Sequence, residues 1–243
     1  MFVVKTAQTA QTDAAQVRAG VRTGAGIRTK VKAKRMPREV RERQMLDAAV
    51  EIFARRGYAA ASMDEIAELA GASKPLVYLY LNSKEDLFSA CIRRESEALV
   101  TAVRSGIDPE ASPDGRLWSG LLGFFAHTAA HPDAWAVLHC QARTHGEPFA
   151  SAVCAMRQEI VDVVTQLIAA TAREAACAAE PAEREISGLA HALVGAAESL
   201  AAWANTGGDA APSEKETAAT LMNLVWAGLG NLMNGRCWSA TRD

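Results

Sequence analysis

From Pro37 onward the apolar residues of this 243-residue chain recur three or four positions apart, while runs of alternating β-branched residues are scarce. Side chains with that spacing share one side of a 3.6-residue helix, so each segment reads as a helix with one face to bury. The implied fold class is all-α. Alanine is abundant and hydrophobic residues make up 49% of the chain, enough for a packed core in one large domain or two of ordinary size.

Turn and cap residues divide the pattern. Val40, Leu46, Ala49, Val50, Ile52 and Phe53 define a first helix of about 20 residues, with Pro37 at its first turn and Gly57 as its C-terminal cap. Ser62, with Glu65 three residues on, has the form of a capping box for a short helix that stops at Gly71. Ser73 then caps a third helix of about two turns, with Pro75 tolerated in its first turn. Periodicity turns Ile66, Leu69, Leu76 and Leu87 inward. A helix from Lys84 to Ser105 follows, then a linker from Gly106 to Asp114, then helices near 114–130, 132–142, 148–178, 183–205 and 213–234.

Charge is unevenly distributed. Residues 1–43 hold 11 basic and 3 acidic groups, whereas the other 200 residues hold 15 basic and 25 acidic ones. Residues 1–36 lack apolar periodicity and read as a disordered basic arm, although Met36 has the position of an alternative start. A basic arm on an acidic body suits either a solvated tail or a segment that meets a polyanion, where neutralised phosphates release counterions. The five cysteines (Cys91, Cys140, Cys154, Cys177, Cys237) are odd in number and never spaced Cys-x-x-Cys, which fits a reducing cytoplasm. His127, His131, His139, His145 and Cys140 do not have the spacing of a metal site, so no metal or cofactor is expected. The chain lacks a secretory signal, an 18-residue apolar run and any nucleophile elbow, zinc-protease or phosphate-loop motif. It therefore reads as neither an enzyme nor a membrane protein.

Two short helices joined at Gly71 have the dimensions of a helix-turn-helix, whose second helix enters the DNA major groove. Tyr78 and Tyr80 stand about 200° apart on that helix, so at least one ring must point outward. A tyrosine offers an apolar body to a thymine methyl and a hydroxyl to a phosphate, and Lys74 and Lys84 add charge beside it. Arg41 and Arg43 are placed to reach neighbouring phosphates.

The run "MLDAAVEIFARRGYAAASMDEIAELAGASKPLVYLYLNSKEDLF", residues 45–88, resembles the TetR family of bacterial transcription regulators. It departs from the family pattern at Leu81, where an aromatic is usual. The resemblance implies a helix-turn-helix domain over 37–83 joined to a helical effector-binding and dimerisation domain over 84–243. It implies DNA contacts at Ser62, Ser73, Lys74, Tyr78, Tyr80 and Lys84. Leu76 and Val77 are further contact positions for which packing is the competing role, and Ser62 and Ser73 would serve equally well as caps. The function it implies is a ligand-responsive repressor, binding double-stranded DNA as a homodimer on a palindromic operator. The alternatives are an activator of the same family, or a helical ligand-binding dimer that has lost DNA binding.

A single helix-turn-helix reads few base pairs, so two copies are required. Ile186, Leu189, Leu193, Ala197 and Leu200 form one stripe, and Leu221, Leu224, Val225, Leu229 and Leu232 another. Gly188, Ala192, Gly195 and Ala196 would permit close helix approach, and the family resemblance implies a four-helix bundle with the partner's stripes. Trp118, Leu121, Leu122, Phe125, Trp135, Met156, Ile160 and Val164 are candidate lining for a pocket that would take an apolar or amphipathic effector, and most are equally suited to a core.

Overall fold

Ten α-helices follow one another in the computed structural model, which describes residues 37–174 and 183–233; no strand occurs among those residues. The arm at 1–36, the segment 175–182 (with Cys177) and the tail from 234 (with Cys237) lie outside the described residues. So do the side chains of residues 229–233, and with them the interface expectations for Leu229 and Leu232.

The first helix, α1, spans Arg38–Ala60 and contains a break rather than an end at Gly57, whose φ of 76° lies in the left-handed region. A side chain there would be strained by that backbone, and its Cβ, 3.1 Å from Gln141 Oε1, would also require the glutamine to shift slightly. Helix α2 is Met63–Leu69, capped by the Ser62 hydroxyl, which accepts the Asp64 N–H at 3.1 Å. The reciprocal half of the expected box is not made; Glu65 instead pairs with Arg56 at 3.2 Å. Helix α3, Lys74–Leu81, ends at Asn82 with φ 32°, a conformation asparagine tolerates better than most residues. Ser83 then caps α4, Lys84–Gly106, by accepting the Asp86 N–H at 2.9 Å.

Helix α5 is Pro113–Ala130 and α6 is Pro132–Ala136. A π-helical turn, Val137–Gln141, continues into the single turn α7, Ala142–Thr144, so the expected helix over 132–142 exists with one widened turn. Helices α8 (Phe149–Glu174), α9 (Glu183–Ala204) and α10 (Glu214–Met233) complete the chain.

The described residues belong to one compact unit, Met36–Asp243, and its core runs without interruption from the short helices into the long ones. At the seam the Phe88 ring of α4 lies 4.7 Å from both Phe53 and Tyr58 and 4.8 Å from Phe149, which begins α8. Such aromatic pairs add about 0.5–1.5 kcal/mol each beyond area burial. Further along α4 the backbones of two helices nearly touch: a Cβ on Gly123 of α5 would fall 2.7 Å from the Ala102 carbonyl oxygen. Of the residues expected inward, Ile66 and Leu87 are fully buried and Leu76 half-buried. Leu69 is not: it is 46% exposed at the end of α2, where the chain turns into Gly71 before a third helical turn can cover it.

Candidate nucleic-acid interface

Helix α3 is held by Val77, which is wholly buried, and by Leu81, which is 7% exposed. The Leu81 position thus keeps the packing role of the aromatic it replaces. Val77, expected as a DNA contact, has no surface to offer a base, because it is the residue that anchors the helix. Leu76 also leans on the core. The two tyrosines divide as the 200° offset requires. Tyr78 is 40% exposed, while Tyr80 packs half-buried against the core with the Arg38 guanidinium 5.1 Å from its ring centre.

Both lysines of the site are engaged within the chain. Lys74 Nζ donates to Asp64 Oδ2 at 2.8 Å, and that hydrogen bond and charge raise its pKa. Lys84 Nζ donates to the Ala59 carbonyl at 3.0 Å and lies 4.9 Å from the Tyr58 ring centre, and burial pulls its pKa down. The Tyr58 face and the Ala59 carbonyl in the last turn of α1 favour the cation, whereas burial and its place at the first residue of α4 oppose it. Meeting a phosphate requires each lysine to exchange an internal partner for an external one. Ser73 stands at the N-cap position of α3 but its hydroxyl makes no capping bond, so the expected cap is absent and the exposed group is left for another partner. Ser62, by contrast, is occupied as a cap. Arg41 is half-buried and Arg43 exposed on the first turns of α1.

One residue of this surface escaped the sequence reading. Leu79 is 74% exposed, more so than either tyrosine. Every position from Pro75 to Leu81 is apolar or aromatic, so local pattern alone does not say which side is buried.

The expected effector lining separates into several places. Leu121, Ile160 and Val164 face one cavity between α4, α5, α8 and α9, together with Val103, Phe124 and Leu193. Every lining residue is apolar or glycine. Met156 instead lines a groove between α4 and α8, and Phe125 one between α5 and α10. Trp135 belongs to the core, 5.6 Å edge-on to Phe124 and stacked on His139, while Trp118 and Leu122 pack half-buried against it.

The expected interface stripes also divide. Ile186, Leu193, Ala197 and Leu221 are buried within the chain, because α9 and the start of α10 carry apolar residues on two sides and the inner one packs on α8 and α5. Leu224 is 70% exposed, with Leu189, Leu200 and Val225 half-buried beside it. Trp203, at 60% exposure and one turn beyond Leu200 on α9, adds to that surface, whereas Trp226 is exposed about 200° around α10 from Leu224; neither tryptophan was in the expected stripes. Gly188 faces open space, whereas Gly195 faces Arg157 of its own chain and does not serve a partner's approach. Among the described residues no group of three or more His, Cys, Asp or Glu could hold a metal ion, and no helix is long and apolar enough to cross a membrane.

Known proteins fall into register with these two regions. Residues 45–91 match the profile of bacterial regulatory proteins of the tetR family, and residues 113–228 that of the tetracyclin repressor-like C-terminal domain. A solved TetR-like transcriptional regulator from Rhodococcus sp. RHA1 is 37% identical, aligning 81% of this chain with 99% of that one at a TM-score of 0.68. The HTH-type transcriptional activator FasR of Mycolicibacterium smegmatis is 43% identical over 91 residues, 37% of this chain and 42% of that protein. The HTH-type transcriptional repressor SCO4008 of Streptomyces coelicolor is 33% identical over 108 residues, 44% and 53% of the respective chains. The match thus spans about half the length of these two curated relatives. These relatives are regulators, not enzymes, and the alignment to the Rhodococcus protein runs through both the short-helix head and the long-helix body. On that shared order of parts, the chain belongs to the tetR family of bacterial regulatory proteins.

Proposed function

We propose that this chain is a homodimeric transcriptional repressor that grips a palindromic operator with two copies of α3 and responds to an apolar or amphipathic small molecule. The observation that carries the reading is the outward side of α3. A helix of 8 residues presents Lys74, Tyr78 and the unengaged Ser73 hydroxyl to solvent while Val77 and Leu81 fix its orientation. Residues 37–83 act as the reading head and residues 84–243 as the body. The head is not itself a strong cation, with 6 basic and 7 acidic groups over residues 37–83. Long-range attraction to DNA therefore falls to residues 1–36, with 8 basic groups and 1 acidic.

Dimerisation is supported by the outer side of α9 and α10. Trp203 and Leu224 stand in water there, and α10 has no charged residue from Thr217 to Met233. A surface of that composition is stabilised by covering it with a like one. Two heads held by such a contact would meet half-sites about 34 Å apart, or a multiple of a turn.

The apolar cavity between α4, α5, α8 and α9 supports the effector reading. Its free space of about 30 Å³ suits two or three waters at most, since a single water needs roughly 10–15 Å³. An effector must therefore part the helices, and one of them, α4, begins at the head. A ligand that binds the parted form better than the closed one shifts the population between them, typically by a coupling of about 1–3 kcal/mol.

The test is a mobility-shift selection of genomic fragments repeated across salt concentrations. The expected result is a palindromic site bound with a steep fall in affinity as salt rises. Failure to retain any fragment would overturn the reading and favour a helical ligand-binding dimer.

A further inference from the structure

We infer that Leu79 reads the C5-methyl group of one thymine in each operator half-site, a contact that rests on the DNA-binding reading above. Its position follows from helix geometry. At about 100° per residue, Leu79 lies about 180° from the midpoint of Val77 and Leu81, the two residues that fasten α3 to the core. It is thus the residue aimed most directly away from the protein. Its 74% exposure is the highest among the large hydrophobic side chains described, which leaves it without cover from its own chain.

The neighbours specify what can cover it. Tyr78 is exposed on one side, Pro75 lies one turn before it, and Lys74 stands at the N-terminal edge. A narrow apolar strip beside a cation suits a groove whose walls are phosphates and whose floor contains methyl groups. Of the four base pairs' major-groove edges, those containing thymine carry a methyl group, and leucine has no hydrogen-bonding group with which to read any other edge. The outer surface of α10, without a charged residue from Thr217 to Met233, lacks this mixture, which is why the same argument does not apply there.

The experiment uses the full chain and the operator it selects, with thymines replaced one symmetric pair at a time by deoxyuridine, which lacks only the methyl. At one pair the wild type should bind about fourfold more weakly per half-site, the value of one buried methyl group, and roughly fifteenfold more weakly with both replaced. Leu79→Ala should bind thymine and uracil operators alike, while Leu79→Met, still apolar, should retain the discrimination. Because the side chain is exposed, both variants should keep the wild-type circular dichroism spectrum. A wild type indifferent to every uracil substitution would overturn the inference while leaving DNA binding intact. So would a Leu79→Ala variant that discriminates as the wild type does, or one that binds the operator with undiminished affinity. A wild type that binds no DNA would remove the inference together with the function it rests on.

Discussion

The outer side of α3 and the outer side of α9 and α10 both leave large apolar side chains in water, yet different groups stand beside them. On α3, Tyr78 and Leu79 have Lys74 within the same helix and Lys84 just beyond it. Beside Leu224, α10 carries no charged residue for its last four turns. Exposure alone therefore does not identify a partner; the charge at the rim does. Cations bordering a narrow apolar strip suit a polyanion with methyl groups, and an uncharged apolar expanse suits another copy of itself.

The largest effect should come from placing charge in the second surface. Leu224→Arg would set two arginines into the paired surface without partners, and breaking such contacts costs about 3–5 kcal/mol. Sedimentation should show monomers, and operator affinity should fall at least a hundredfold; a persistent dimer would break the contrast. The two surfaces share one core through Phe88, whose truncation to alanine should cost about 3–5 kcal/mol. Denaturation followed by circular dichroism and by tryptophan fluorescence, which reports only on the body, should show one coincident transition. Two separate transitions would mean that head and body fold independently.

Smaller changes sharpen the comparison on the α3 side. Lys74→Ala should weaken binding to all sequences alike and reduce the slope of log affinity against log salt by about 0.9. The oligomeric state should stay unchanged, in contrast to the Leu224 variant. Asp64→Ala, which releases Lys74 from its 2.8 Å pairing, should tighten operator binding by a few-fold. The smallest effect concerns pH. Burial, and then the neighbouring His131, depress the pKa of His127 below 6.5, with the Glu95 carboxylate opposing them. The unfolded chain therefore takes up a proton first as pH falls, so stability should decline below about pH 6.5 and level off below the depressed value. Urea titrations at pH 7.5 and 5.5 should show that decline, and His127→Gln should lessen it.

Much of the head was legible because its signals are local. Ser62 caps α2 as expected through its own backbone neighbour, and Gly57 interrupts α1 at the position expected for its cap. The orientation of α3 was legible only in part, since a helix that is apolar on all sides gains its buried face from what α1, α2 and α4 offer it. Leu79 was passed over, and Val77 offered as a contact, for that one reason. In α9 the same limit applies: Leu193 and Ala197 satisfy an outward stripe by spacing, but the packing of α8 takes them inside. The shared cavity depends on Val103 at the far end of α4 as well as on α5, α8 and α9, a conjunction that no single helix encodes.

The near-contact of backbones where Gly123 meets Ala102 is a point about which α4 would pivot if an effector parted the helices. Lys84 lies 18 residues from that point, about 27 Å at 1.5 Å per residue. A tilt of about 5° around the pivot would swing the start of the head by roughly 2.4 Å, enough to lose register with a groove. Because Val103 and Ile107 border the cavity next to the pivot, a displacement there of a few tenths of an ångström is magnified at the far end.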